Sequence, residues 1–132
     1  MIYTIDNPKL VKNVSNFKGL KSFTGVVKDK YGAIVYFLNG KTHRTDGPAI
    51  EWADGSKEWF LNGGCHRDNG PAIEANGNNF WYLNGELHRE DGPATEWSNG
   101  DKRWYLNGEF YGQNDDFTNE SWIRFVKLEL LK

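Results

Sequence analysis

His43-Arg44-Thr45-Asp46-Gly47-Pro48-Ala49 returns as His66-Arg67-Asp68-Asn69-Gly70-Pro71-Ala72, and again as His88-Arg89-Glu90-Asp91-Gly92-Pro93-Ala94. Leu-Asn-Gly keeps step with this phrase, beginning at Leu38, Leu61, Leu83 and Leu106. The phrase advances by 23 and then 22 residues. Tandem identity at such a period predicts one supersecondary unit copied head to tail, each copy resting on its neighbours. Most repeated residues then serve the stack, and function is to be sought in what the copies vary or in the two ends.

One copy shows what the unit is. Asp46-Gly47-Pro48 reads as a turn, in which proline presets its own φ and glycine supplies conformational freedom. Ala49-Ile50-Glu51-Trp52 reads as a short strand. Asp54-Gly55 is expected to be a two-residue hairpin turn with both residues at positive φ. Lys57-Glu58-Trp59-Phe60-Leu61 is the returning strand, closed by Asn62-Gly63. The expected fold class is all-β: an elongated antiparallel meander of tandem β-hairpins.

Alternation assigns faces. Trp59 shares a face with Leu61, Trp81 with Leu83, Trp104 with Leu106 and Tyr36 with Leu38, and this regularity marks the core side. Phe37, Phe60, Tyr82 and Tyr105 then lie opposite, as an aromatic ladder able to bind a partner. Trp52 and Trp97 occupy the companion strand and join the ladder as candidate contacts, although the pattern leaves their face undecided. The middle copy is one residue shorter there, running Glu74-Ala75-Asn76-Gly77.

The ends depart from the phrase. Residues 1–31 are expected to form an N-terminal cap with an eroded copy, in which Gly32 and Tyr36 stand where Gly55 and Trp59 stand. Val26 falls near the alanine slot, and Leu20-Lys21-Ser22-Phe23 replaces the His-Arg phrase. The hairpin copies span 32–112. Residues 113–132 are expected to form a capping helix, with Thr118 as N-cap and Phe117 stapled to Trp122. Its apolar stripe is Trp122, Phe125, Val126 and Leu130, expected to cover the open end of the sheet.

Composition bounds the chemistry. The 132 residues suit one domain, with 38% hydrophobic residues and 15% aromatics, so rings supply core area that aliphatic side chains do not. A net charge of −2 with mixed signs shows no basic face for nucleic acid or for a lipid surface. Cys65 is the single cysteine, reads as a small buried-side residue, and excludes an internal disulfide. The N-terminal residues lack the basic start and apolar run of a signal peptide, so a cytoplasmic location is expected.

His43, His66 and His88 are too far apart for one metal. Two strand spacings per copy separate them by about 10 Å, whereas a zinc ion needs every ligand about 2 Å away. Arg44, Arg67 and Arg89 are expected to bridge to Glu51, Glu74 and Glu96 or to the acidic residue of the turn, and each histidine to donate to a backbone carbonyl. No Gly-x-Ser-x-Gly, P-loop or paired-cysteine motif is present, and the carboxylates recur in every copy instead of gathering once. No catalytic residues, metal or cofactor are expected.

Asn39-Gly40, His43, Gly47, Asp54-Gly55 and Trp59, repeated in the following copies, resemble the MORN repeat. Its usual His-Gly step is spread here into His-Arg-x-Asp/Asn-Gly-Pro-Ala, a form similar to variants found in tandem in proteins of large bacteriophages, bacteria and giant viruses. The resemblance covers residues 32–112, and reaches residue 19 if the eroded copy is counted. It implies a non-enzymatic scaffold or protein-binding module, such as a phage or bacterial protein that inhibits or scaffolds a partner, in the host cytoplasm if viral. Carbohydrate binding by the aromatic ladder is the alternative, and exposed terminal strands allow a homodimer.

Overall fold

The computed structural model describes residues 23–132. Leu20-Lys21-Ser22 and the rest of the expected cap before residue 23 lie outside the described residues. The fold is mostly β, an antiparallel meander of short hairpin strands with one C-terminal helix and no closed barrel among the described residues. No described helix is long and apolar enough to cross a membrane. The described chain divides into two compact units, the first running to His66 and the second Arg67–Lys132.

In the first unit, β1 (Gly25–Lys28), β2 (Ile34–Leu38), β4 (Ile50–Glu51) and β5 (Lys57–Glu58) lie side by side in that order. The short β3 (Lys41–Thr42) pairs with the far half of β2, and β6 (Phe60–Leu61) pairs with β7 (Gly64–Cys65). In the second unit the order is β8 (Ile73–Ala75), β9 (Asn78–Phe80), β12 (Thr95–Glu96), β13 (Lys102–Leu106) and β14 (Glu109–Gln113). There, β10 (Tyr82–Leu83) pairs with β11 (Glu86–Leu87).

The turns divide into two kinds. Asn39-Gly40, Asn62-Gly63, Asn76-Gly77, Asn84-Gly85 and Asn107-Gly108 all hold both residues at positive φ, the mirror-image turn whose twist suits a hairpin. Asp54-Gly55 does not, contrary to expectation. Only Gly55 has positive φ, while Trp52 N–H bonds the Ser56 carbonyl at 2.9 Å and Gly55 N–H bonds the Trp52 carbonyl at 3.0 Å. This is a three-residue loop over residues 53–55. The Asp54 carboxylate favours it by accepting Ser56 N–H at 2.9 Å, which holds the Asp54 pKa below its usual value. Trp97 to Asp101 repeats the arrangement, as does Asp29 to Ala33.

Turn type explains the uneven period. In the middle copy Asn76-Gly77 joins Ala75 directly to Asn78 as a two-residue turn, one residue shorter than its neighbours. The register below the turn is unchanged: Ile50 pairs with Glu58, Ile73 with Phe80 and Thr95 with Arg103, each partner standing just before the strand's tryptophan. Val27 pairs with Val35 in the same way, just before Tyr36, which places Val26 opposite Tyr36 in the alanine slot.

The core does not keep to the expected face. In the first unit the main hydrophobic cluster is Val27, Val35 and Phe37, joined by Phe23 and Ile50. They lie on the side of β2 opposite Tyr36 and Leu38. In the second unit Trp104 and Leu106 of β13 are buried as expected, against Trp122 and Val126. Ile34-Val35-Tyr36-Phe37-Leu38 is apolar on both faces, so what covers each face, and not the period, selects the buried one.

Helix α1 (Asn119–Glu129) starts as expected. Thr118 Oγ1 accepts Ser121 N–H at 3.1 Å, Ser121 Oγ accepts Thr118 N–H at 2.9 Å, and Phe117 meets Trp122 with ring centroids 4.8 Å apart. The helix packs on the face of β13, however, and not simply over an open end. Leu130 caps the helix in solvent instead of completing its apolar stripe.

Ala49, Ala72 and Ala94 are fully buried. The next slot holds Ile50, Ile73 and Thr95. Thr95 is buried with its hydroxyl unpaired. Replacing Thr95 by Val or Ile should therefore raise stability by about 1 kcal/mol, since an unsatisfied buried hydroxyl is exchanged for apolar volume. A urea midpoint that does not rise would show that the hydroxyl finds water.

Candidate binding groove

The repeated phrase is a clamp built around arginine. The Arg44 guanidinium lies 4.0 Å over the Tyr36 ring and that of Arg89 lies 3.9 Å over Trp81, within cation–π range. Nε donates to the turn aspartate, Arg44 to Asp46 and Arg89 to Asp91, each at 2.8 Å. Nη1 reaches the proline carbonyl four residues on, at 3.1 Å in both copies and at 3.0 Å for Arg67 to Pro71. It also faces the strand glutamate: Arg67–Glu74 is 3.0 Å, Arg89–Glu96 is 2.9 Å and Arg44–Glu51 is 3.7 Å.

The glycine of the phrase makes room for this. A Cβ on Gly47, Gly70 or Gly92 would stand 2.8, 3.0 or 2.6 Å from the Cζ of its arginine, so glycine is required by close approach and not by an unusual φ. The hydrogen bond from Arg44 comes first among the causes that hold the Asp46 pKa below its usual value. A depressed folded value means that this contribution is complete above about pH 4 and is lost as the pH falls through the folded value.

The histidines act in the opposite sense to expectation. Nδ1 of His43 accepts Asn62 N–H, and Nδ1 of His88 accepts Asn107 N–H, each at 2.9 Å. The left-handed Asn62 and Asn107 thus point their N–H groups at the preceding copy's histidine, which accepts through Nδ1. His88 Nε2 faces Glu90 at 2.9 Å and completes that tautomer as the donor.

In the second unit two of these phrases border an open groove of about 610 Å³. Trp81 and Leu83 form its apolar part, Arg67-Asp68-Asn69-Gly70 one rim and His88-Arg89-Glu90-Asp91 the other. A groove of about 380 Å³ in the first unit uses the same slots, Tyr36, Leu38, His43, Arg44, Thr45 and Asp46. Neither was read from the sequence, because the ring and the arginine stand eight residues apart and suggest no shared site. The available signal was the Asn-Gly turn between them: it pairs Leu38 with Lys41 and Phe37 with Thr42, which carries Arg44 back over Tyr36.

The expected contact residues are scattered. Phe37 is only 8% exposed, packs edge-on to Phe23 and belongs to the core, which removes it from a surface ladder. Phe60, Tyr82 and Tyr105 are half-buried, and Tyr105 is covered edge-on by the exposed Phe110 at 5.5 Å. Trp52 and Trp97 remain 37% and 40% exposed. Each is nonetheless fixed, Trp52 by an indole N–H bond to the Glu58 carboxylate and Trp97 by the Phe80 ring at 4.8 Å.

Cys65 is partly buried opposite Phe60. Burial, with the nearby Glu58 charge, pushes its pKa up to about 12, so the thiol stays protonated at neutral pH and is a poor nucleophile. The chain matches no known protein family, no curated protein and no solved structure.

Proposed function

We propose that this chain is a non-enzymatic protein-binding module whose contacts are made by exposed but fixed aromatic rings. The observation that carries this reading is the state of Trp52 and Trp97. Tryptophan has more to gain from burial than almost any other side chain. Here one ring in each unit stays over a third exposed while a hydrogen bond or a neighbouring ring holds it in place. A ring already immobilised loses little entropy on docking, which is the property of an interface anchor.

The MORN-like phrase, shared with scaffold and binding proteins, supports the same reading. So does the engagement of its His, Arg and Asp side chains with one another and with the backbone. In its specific form the proposal is a phage or bacterial protein that inhibits or scaffolds a partner.

Tagged wild-type chain and a Trp52→Ala/Trp97→Ala variant of matched melting temperature would be compared in affinity capture. A stoichiometric partner retained by the first and lost by the second is expected, with each ring contributing about 2 kcal/mol, or about 30-fold in Kd. Capture indifferent to both rings would sink the proposal. Ring-dependent binding to a glycan array, without a captured protein, would transfer the site to carbohydrate.

A further inference from the structure

We infer that the groove at Trp81 receives a lysine or arginine side chain of the bound protein, an inference that rests on the protein-binding reading above. The first ground is charge. The lining contains two guanidinium groups, Arg67 and Arg89, against the carboxylates of Asp68, Glu90 and Asp91. Behind them Glu74 and Glu96 are bonded to the same two arginines. The groove is therefore negative on balance, and the carboxylates on its His88–Asp91 rim are well exposed, Glu90 by 53% and Asp91 by 76%.

The second ground is that the molecule already shows which chemistry fits this surface. Arg89 lays a guanidinium over Trp81 while bonding to Asp91, and Arg44 does the same over Tyr36 with Asp46. An aromatic ring bordered by carboxylates is a cation site, used once from within. A second cation would enter from the open groove, with its aliphatic stem along Leu83 and Trp81 and its head toward Glu90 and Asp91. Single hydrogen bonds to His88 and Arg89 leave each of these carboxylates with accepting capacity. The first-unit groove has Thr45 where Glu90 stands and supplies only Asp46, so it should take the same ligand more weakly.

The test uses the full chain labelled with ¹⁵N and capped tripeptides Gly-Lys-Gly and Gly-Arg-Gly, with norleucine and glutamate counterparts as controls. A saturable shift of the Trp81 indole N–H, assigned through Trp81→Phe, is expected with lysine and arginine and not with the controls. Glu90→Gln should weaken it about three- to tenfold at low salt, with the remaining spectrum unchanged. If that substitution disturbs His88, Asp68→Asn on the other rim serves the same purpose.

An equal response to norleucine, or a response that both carboxamide variants retain in full, overturns the inference. The two proposals fail separately. Capture that is indifferent to Trp52 and Trp97, with intact tripeptide binding, removes the protein-binding reading. Ring-dependent capture by a chain that does not respond to lysine or arginine removes only the cation site.

Discussion

Trp122→Ala is expected to cost about 4 kcal/mol of folding stability, the upper range for truncating a buried aromatic. The ring is fully buried and lies between Trp104, Phe117, Phe125 and Tyr111, at centroid distances of 5.4, 4.8, 5.5 and 6.0 Å. Its indole N–H also donates to the Arg89 carbonyl at 2.8 Å. Truncation thus opens a cavity and strands a backbone acceptor at once. Trp122→Phe separates the two effects: it restores most of the volume, leaves the carbonyl unpaired, and should cost about 1–3 kcal/mol. Against the 5–15 kcal/mol typical of a small domain, the alanine variant should shift the urea midpoint strongly. A loss below about 1 kcal/mol would mean that α1 does not hold this core together.

The helix does for the last copy what arginine does for the others. Arg44 and Arg89 stand eight residues after Tyr36 and Trp81; eight residues after Trp104 stands Gly112, with Phe117 3.1 Å from where its Cβ would be. Phe117 and Trp122 cover Trp104 in place of a guanidinium.

Gly92→Ala should cost about 2–3 kcal/mol, although the backbone at that position suits any residue. The new methyl would stand 2.6 Å from Arg89 Cζ and 2.9 Å from Nε and Nη1. Moving the guanidinium away sacrifices the Trp81 stack together with the bonds to Asp91, Pro93 and Glu96. The cost should all but disappear in an Arg89→Ala background, where alanine in place of glycine restrains the unfolded chain and is mildly favourable. Gly70→Ala, at 3.0 Å, should cost less than Gly92→Ala. A double-mutant cycle decides the matter: additive losses would show that the glycine serves the backbone and not the clamp.

Local chemistry was the legible part of the sequence. The Leu-Asn-Gly turns, the Thr118 cap and the Phe117–Trp122 staple depend on residues within one turn of each other, and all appear where the residue types demand. The Arg–Glu bridges could also be anticipated, since Arg67–Glu74 and Arg89–Glu96 share a seven-residue step. Faces were less accessible. Tyr36 and Phe37 are equally apolar, and only the Arg44 guanidinium on one side and Phe23 with Ile50 on the other distinguish their surroundings. Asp54-Gly55 was misread because the same dipeptide closes a two-residue turn or ends a three-residue one, and the Ser56 N–H on the Asp54 carboxylate selects the second. The groove depends on two phrases standing side by side, a relation that no single copy contains.

The difference between a two-residue turn at Asn76-Gly77 and three-residue turns at residues 53–55 and 98–100 leaves the strand pairing below them untouched. Hairpin tips in this architecture therefore tolerate insertion and deletion, with each change of length absorbed above the Ile/Thr slot and not passed down the sheet. Trp52 and Trp97 stand at the base of two such tips, and Ala75 takes their place in the third. A lineage could lengthen, shorten or re-equip one tip at a time while the arginine clamps keep every other copy in register.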